Sequence, residues 1–188
     1  IVAPSGEAFA ANSISYLDVQ LGLNYAYFPT DNIYMHAGVS IHHVNRPRET
    51  FFSEKPDYDN RLAMRYIAFV DGVIKLNDQI ILTPAAYFST QAKATELALG
   101  LHANYNLTGD GEQQLIAGMY YRAGDAFIPM VGYQWKNLRF MFSYDATTSA
   151  LGNYNNHYGA TEFAMIYSGV NAAGYNGDKR QSLCPDFR

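Results

Sequence analysis

The feature that most constrains this chain is an alternation of apolar and polar residues that persists over segments of 10 to 13 residues. In residues 16–28, Leu, Val or Tyr occupies every odd position from Leu17 to Tyr27, whereas the even positions include Asp, Gln, Gly and Asn. Residues 33–42 and 95–107 repeat this pattern. Residues i and i+2 share one face of a strand but lie on opposite sides of a helix. The pattern therefore predicts β-strands with one apolar and one polar face.

Six further segments alternate in the same way, although Pro84 disfavours a central position for the strand that contains it. The predicted strands are 16–28, 33–42, 62–73, 80–89, 95–107, 115–122, 127–135, 138–145 and 161–167. Short connections alternate with connections of other lengths. Two of the latter are long, at 45–60 and 146–159. Short turns at one end and longer loops at the other are typical of outer-membrane barrels. The sequence thus predicts an all-β, antiparallel up-and-down barrel.

Alternation alone leaves open whether the apolar face points outward to lipid or inward, as in a soluble ligand-binding barrel. The long strands favour the membrane, because globular strands average about 5 to 6 residues and membrane strands need about 9 to 11. Aromatic residues near predicted strand ends also favour it, since rings collect at membrane–water interfaces. We expect an interfacial girdle formed by Tyr25, Tyr27, Tyr105, Tyr133, Trp135, Tyr144 and Tyr167.

The polar face mixes Gly with charged and hydrogen-bonding residues, as expected for a hydrated lumen. The candidate lumenal polar cluster consists of Glu96, His102, Arg122, Asp125, Arg139, Asp145 and Glu162. Two interpretations stay open for it. The cluster could stiffen the loop side of the barrel and receive a partner, or its charges could simply pair to satisfy one another.

Composition and motifs exclude several other classes. Polar residues interrupt every apolar run, so no segment reaches the roughly 18 to 20 apolar residues of a spanning helix. With 13 basic and 17 acidic residues, no basic stripe suits nucleic acid. No catalytic motif, metal-ligand spacing or phosphate-binding loop is present, so we expect no enzyme activity, no metal and no cofactor. Cys184, the single cysteine, allows no internal disulfide.

Several stretches then resemble one family in order and spacing. They are GVSIHHVNRP at 38–47 with ETF at 49–51, YYRAGDA at 120–126, VGY at 131–133, FSYDATTSAL at 142–151 and GATE at 159–162. Together they resemble the PorP/SprF family, outer-membrane β-barrel proteins of the type IX secretion and gliding systems of Bacteroidetes. Ala160-Thr161 stands where the family has Ser-His, so no role for that histidine is carried over.

The resemblance implies a non-enzymatic component of the secretion machinery in the bacterial outer membrane. The implied partners are outer-membrane lipid, periplasmic subunits such as the peptidoglycan-associated lipoprotein and ring components, and a secreted surface adhesin. The candidate partner-binding loop is Asn153, Tyr154, Asn155, His157 and Tyr158. A diffusion channel or small-molecule transporter is the alternative.

The expected organisation is one barrel portion over residues 1–167 followed by a periplasmic tail over 168–188. Because bacterial barrels have even strand numbers, a count of nine predicts further strands on the N-terminal side.

Overall fold

The computed structural model describes residues 13–49, 60–150, 152–155 and 158–169, which form nine strands and one short helix. The strands are β1 (Leu21–Thr30), β2 (Ile33–His42), β3 (Arg65–Lys75), β4 (Ile80–Gln91), β5 (Ala94–Asn106), β6 (Gln113–Arg122), β7 (Ala126–Trp135), β8 (Leu138–Thr147) and β9 (Ala160–Tyr167). Each strand pairs antiparallel with the next, so the order in the sheet equals the order in the chain. The predicted all-β, up-and-down architecture is confirmed. In the part of the chain that the structure describes, β1 and β9 are the sheet edges.

The predicted strand boundaries differ most at β1, which begins at Leu21, five residues later than the alternation predicts. The preceding segment is held by other contacts. The Val44 N–H donates to the Val19 carbonyl at 3.0 Å, and the Asn45 side chain accepts from the Val19 N–H and donates to the Leu17 carbonyl. A side-chain amide therefore takes over part of the pairing that a continued strand would make.

A proline inside β4 does not prevent that strand from lying within the sheet, contrary to the expectation from Pro84. The β3–β4 ladder is interrupted between the Asp71–Ala85 and Ile74–Leu82 pairs, which is where Pro84 lies. Since proline has no N–H to donate, it is tolerated where the ladder makes no bond. A second proline lies at a similar interruption between β7 and β8.

The register divides the strand residues between two faces of different exposure. The face that we call inner carries Asn104, Gln114, Ile116 and Ala126, all of them buried. The face that we call outer carries the Leu, Val and Tyr rows, with Leu23 77% exposed. A soluble barrel would bury these aliphatic rows. The observed orientation is the one that the sequence predicts for a barrel whose outer face contacts lipid.

Two glycines let aromatic rings pack flat against the inner face. A Cβ on Gly38 would overlap the ring of Phe69, and a Cβ on Gly100 would overlap the ring of Tyr120. Both rings lie beside glycines, Gly38 and Gly100, that belong to rows which the alternation predicts to be polar. The inner face is therefore more closely filled by apolar groups than the sequence pattern indicates.

Connections of different lengths lie at the two ends of the sheet. The end that we call the short-turn end has the turns 31–32, 76–79, 107–112 and 136–137. The opposite end, the loop end, has the connections 43–64, 92–93, 123–125 and 148–159. The last of these contains helix α1 (Gly152–Asn155), which the alternation does not predict. Within the described ranges, no helix has the length and apolar character needed to cross a membrane.

Candidate functional site

A charged group with two carboxylate partners lies at the loop end, where β6 ends. The Arg122 guanidinium donates to the Asp125 carboxylate at 2.7 Å and to the Asp145 carboxylate at 2.5 Å. We call these three residues the Arg122 cluster. Their side chains are between about a quarter and a half exposed. Hydrogen bonds between ionised partners are shorter and stronger than neutral ones, so a single side chain holds two carboxylates in place.

The backbone around the Arg122 cluster joins two connections of the chain. Gly124 has a left-handed φ of 73°, and the Asp125 N–H donates to the Arg122 carbonyl, which closes a tight turn. The Asp125 carbonyl accepts from the N–H groups of Thr148 and Ser149, at 2.7 and 3.0 Å. The 123–125 turn and the start of the 148–159 connection are thus fixed to each other.

A cavity of about 320 Å³ lies on the inner face beside the Arg122 cluster. Arg122 and Glu162 contribute its charged groups, and Tyr120, Met130 and Met141 contribute apolar walls. Glu162 itself is exposed and faces Ser143 in the β8–β9 register. The structure therefore places the Glu162 carboxylate and the Arg122 guanidinium at the edge of the same space.

The remaining members of the predicted polar cluster lie on the inner face but make separate contacts. Arg139 donates to the Gln134 side chain at 2.7 Å, and the His102 ring nitrogen lies 3.3 Å from the Tyr120 hydroxyl. Glu96 is exposed near the loop end of β5. The structure therefore joins three of the seven predicted residues by hydrogen bonds, places Glu162 in the lining of the same cavity as Arg122, and distributes the other three over the sheet.

Two histidine–carboxylate pairs are polar contacts that sequence reasoning did not identify. His36 lies 3.1 Å from Asp71, and His43 lies 3.0 Å from Asp18. Each pair joins residues 25 or more positions apart, so only the three-dimensional structure reveals it. In the described ranges, no group of three or more His, Cys, Asp or Glu residues could hold a metal ion.

The candidate partner-binding loop follows Thr148 and Ser149, whose N–H groups donate to the Asp125 carbonyl of the Arg122 cluster. Helix α1 contains Asn153, Tyr154 and Asn155, and the Tyr154 ring is 87% exposed. Tyr158 is 73% exposed, and the next residue donates its N–H to the Tyr144 hydroxyl at 3.1 Å. His157 and Cys184 lie outside the described residues, as does the tail beyond residue 169.

The aromatic residues of the predicted girdle all lie on the outer face. Four of them are within two residues of a strand terminus at the short-turn end, namely Tyr105, Tyr133, Trp135 and Tyr167. Tyr25 and Tyr27 lie from the middle of β1 toward the same end, and Tyr144 lies toward the loop end of β8. Residues of an interfacial girdle lie near strand ends on the lipid-facing surface, so Tyr25 in the middle of β1 fits the prediction less well than the four at strand termini, and the girdle stays a prediction.

A comparison with models of protein families identifies the family of this chain. The model of the type IX secretion system membrane protein PorP/SprF matches residues 2–167. The chain belongs to the PorP/SprF family. This PorP/SprF chain is therefore a membrane protein of type IX secretion, and its outer face of Leu, Val and Tyr rows is the surface that suits lipid. A comparison with curated proteins finds no match.

Proposed function

We propose that this PorP/SprF protein is a non-enzymatic platform in the outer membrane that retains secreted adhesins at the cell surface or assembles the secretion complex. The observation that carries the proposal is the Arg122 cluster, which fixes the base of the connection that carries Tyr154. A ring that is 87% exposed on a fixed base suits docking of a protein partner, because little ordering entropy remains to be lost on binding.

The two ends of the sheet support a division of partners. Outer-membrane barrels have short turns on the periplasmic side and longer loops on the outside. The loop end would then face adhesins, and the short-turn end would face periplasmic subunits such as the peptidoglycan-associated lipoprotein and ring components.

Substitution of the exposed ring tests the adhesin-binding role. We expect Tyr154→Ala to leave the amount of protein in the outer membrane unchanged and to move adhesin from the cell-bound fraction to the medium, both measured by immunoblotting. Tyr105→Ala is the matched control, since that tyrosine is also exposed but lies at the short-turn end. Adhesin that stays cell-bound in the Tyr154→Ala strain would contradict a role for this loop.

A diffusion channel is the second candidate, favoured by the cavity of about 320 Å³ on the inner face. The rings of Phe69 and Tyr120 on that face oppose it, because they occupy space that a channel would leave to water. Conductance across a planar bilayer separates the two functions. A platform gives no steady current, whereas a steady open-channel current would favour transport.

A further inference from the structure

A cavity of about 330 Å³ opens on the outer face at the short-turn end, beside the turn between β7 and β8. Trp135, Lys136, Asn137, Leu138 and Tyr167 line it. It lies on the opposite face and at the opposite end of the sheet from the Arg122 cluster. The proposed adhesin-binding loop therefore has no part in it.

Three of the lining side chains are neighbours across three adjacent strands. Leu138 pairs with Trp135 on one side and with Tyr167 on the other. Trp135 is 54% exposed and Tyr167 is 73% exposed. Trp and Tyr favour the level at which hydrocarbon meets lipid headgroups, because their rings are apolar at one end and polar at the other.

The turn between β7 and β8 places a lysine, Lys136, in the lining of this cavity. Lys136 has a left-handed φ of 53°, and its N–H donates to the Glu112 carbonyl. On the other side, the Ser168 N–H donates to the Asn137 carbonyl at 2.8 Å. The turn backbone is thus fixed on both sides. Lys136 forms no ion pair with any residue that the structure describes.

Below the cavity, the same three strands continue as an apolar strip. The first row is Tyr133, Phe140 and Met165, and the second row is Val131, Phe142 and Phe163. In the second row the two phenylalanine rings lie 5.0 Å apart. Because a strand rises about 3.3 Å per residue, the two rows extend about 13 Å below the cavity.

We infer that this cavity binds a glycerophospholipid, with its phosphate at Lys136 and Asn137 and an acyl chain along the apolar strip. The ammonium supplies charge for the phosphate, and the Asn137 amide can donate a hydrogen bond to it. The strip can contact an acyl chain, which a phospholipid has and free inorganic phosphate lacks. A long lysine stem can follow the apolar surface while its charge stays at headgroup level.

Fluorescence quenching provides a direct test, because Trp135 is the only tryptophan of the sequence. Protein in detergent is titrated with phosphatidylglycerol that carries brominated acyl chains, and quenching of Trp135 is recorded. We expect Lys136→Gln to raise the half-quenching concentration about fivefold, equivalent to about 1 kcal/mol for one lysine near an anionic headgroup. Lys136→Arg should bind like the unchanged protein.

Lys93→Gln is the matched control, since Lys93 also lies in a two-residue turn with a left-handed φ of 72° but at the loop end. We expect no change for it. Brominated diacylglycerol, which lacks the phosphate, should quench the unchanged protein and Lys136→Gln at equal concentrations. Unlabelled inorganic phosphate should not relieve quenching.

The Trp135 emission maximum without lipid shows whether Lys136→Gln keeps the native environment of the ring. Equal phosphatidylglycerol titrations for the unchanged protein and Lys136→Gln would overturn the inference. An equal rise of the half-quenching concentration in Lys93→Gln would also overturn the inference, because the effect would then be one of net charge. Full competition by inorganic phosphate would indicate an anion site without a lipid.

Discussion

Arg122 at the end of β6 reaches Asp145 on β8 across the whole width of the intervening strand, with 2.5 Å between Nη2 and Oδ2. The neighbour of Arg122 on β7 is Ala126, which is 1% exposed and faces Thr147 on β8. An alanine methyl group is small enough for the guanidinium to pass above it. The Arg122 side chain therefore couples β6 to β8 and to the 123–125 turn.

Loss of the Arg122 guanidinium should weaken the loop end. We expect Arg122→Gln to lower the free energy of unfolding by about 1 kcal/mol, because hydrogen bonds between charged groups are strong but these are partly exposed to water. Urea unfolding of the protein in detergent measures this change. Arg139→Gln is the matched control, since Arg139 bonds to Gln134 rather than to a carboxylate.

A double-mutant cycle separates the Arg122–Asp145 contact from unrelated effects. Arg122→Gln and Asp145→Asn together should cost less than the sum of the two single changes, because both remove the same interaction. Strict additivity would contradict the direct coupling of β6 to β8.

A larger side chain at position 126 should block the path of Arg122. We expect Ala126→Leu to destabilise the protein by about 1–3 kcal/mol, since extra methylene groups in a filled site force neighbours to move. Ala117→Leu is the control, because Ala117 lies on the exposed outer face. It should change stability by less than about 0.5 kcal/mol. Equal losses of unfolding free energy for Ala126→Leu and Ala117→Leu, measured by urea unfolding, would contradict the inference that the Arg122 side chain crosses β7 above Ala126.

The orientation of the two faces predicts losses of stability of different size when an arginine is placed at neighbouring positions of β5. Leu101 is 46% exposed on the outer face, near the middle of the strand. We expect Leu101→Arg to cost about 2–4 kcal/mol in the membrane-embedded protein, as for a charge facing lipid near the bilayer midplane.

His102→Arg is the control, because it places the same group on the inner face beside Tyr120. It should lose at most the single contact to the Tyr120 hydroxyl, about 1 kcal/mol. The folded fraction after reconstitution into lipid vesicles, read from the heat-dependent mobility in gels, measures both. A greater loss for His102→Arg would reverse the assignment of the faces.

Asp110, in the turn between β5 and β6, should titrate below its ordinary range. The Thr108 hydroxyl donates to its carboxylate, and the Glu112 N–H donates to the same oxygen at 2.8 Å, so the pKa of Asp110 is lowered. These bonds stabilise the turn above the pKa of the unfolded chain, and the contribution is lost as the pH falls through the lower pKa of the folded state.

A carboxyl titration followed by NMR measures the Asp110 pKa. We expect Thr108→Val to raise it toward the ordinary value and Thr90→Val, at the loop end, to leave it unchanged. An Asp110 midpoint at or above the ordinary value in the unchanged protein would contradict the turn geometry.

Local alternation was sufficient to predict nine strands, because the two-residue period is visible in the residues of each strand alone. It predicted the bounds of β2 as the structure has them, and those of β4 to β9 within two residues. It failed before Leu21, where the Asn45 side chain takes over the pairing. It also failed at Pro84, because the sequence of one strand does not show where its ladder to the neighbouring strand lacks a hydrogen bond.

The candidate site could be predicted only in part for a similar reason. The alternation assigned Arg122, Asp145 and Glu162 to the polar face, and the structure has all three on the inner face. Which charges meet depends on register and on the size of the residue between them. Arg122 reaches Asp145 past Ala126, whereas Arg139 on the same face meets Gln134. No pattern within one strand contains that information.

The sequence by itself determined the strands, their two faces and, through its motifs, the family, because strand periodicity and motif spacing are properties of neighbouring residues. Only the tertiary structure decided the partners of Arg122, His36 and His43, and the meeting of Trp135, Leu138 and Tyr167 around one cavity. Apart from Arg122–Asp125, these contacts join residues of different strands or of the segments beside them, and they form only when the register aligns the strands side by side.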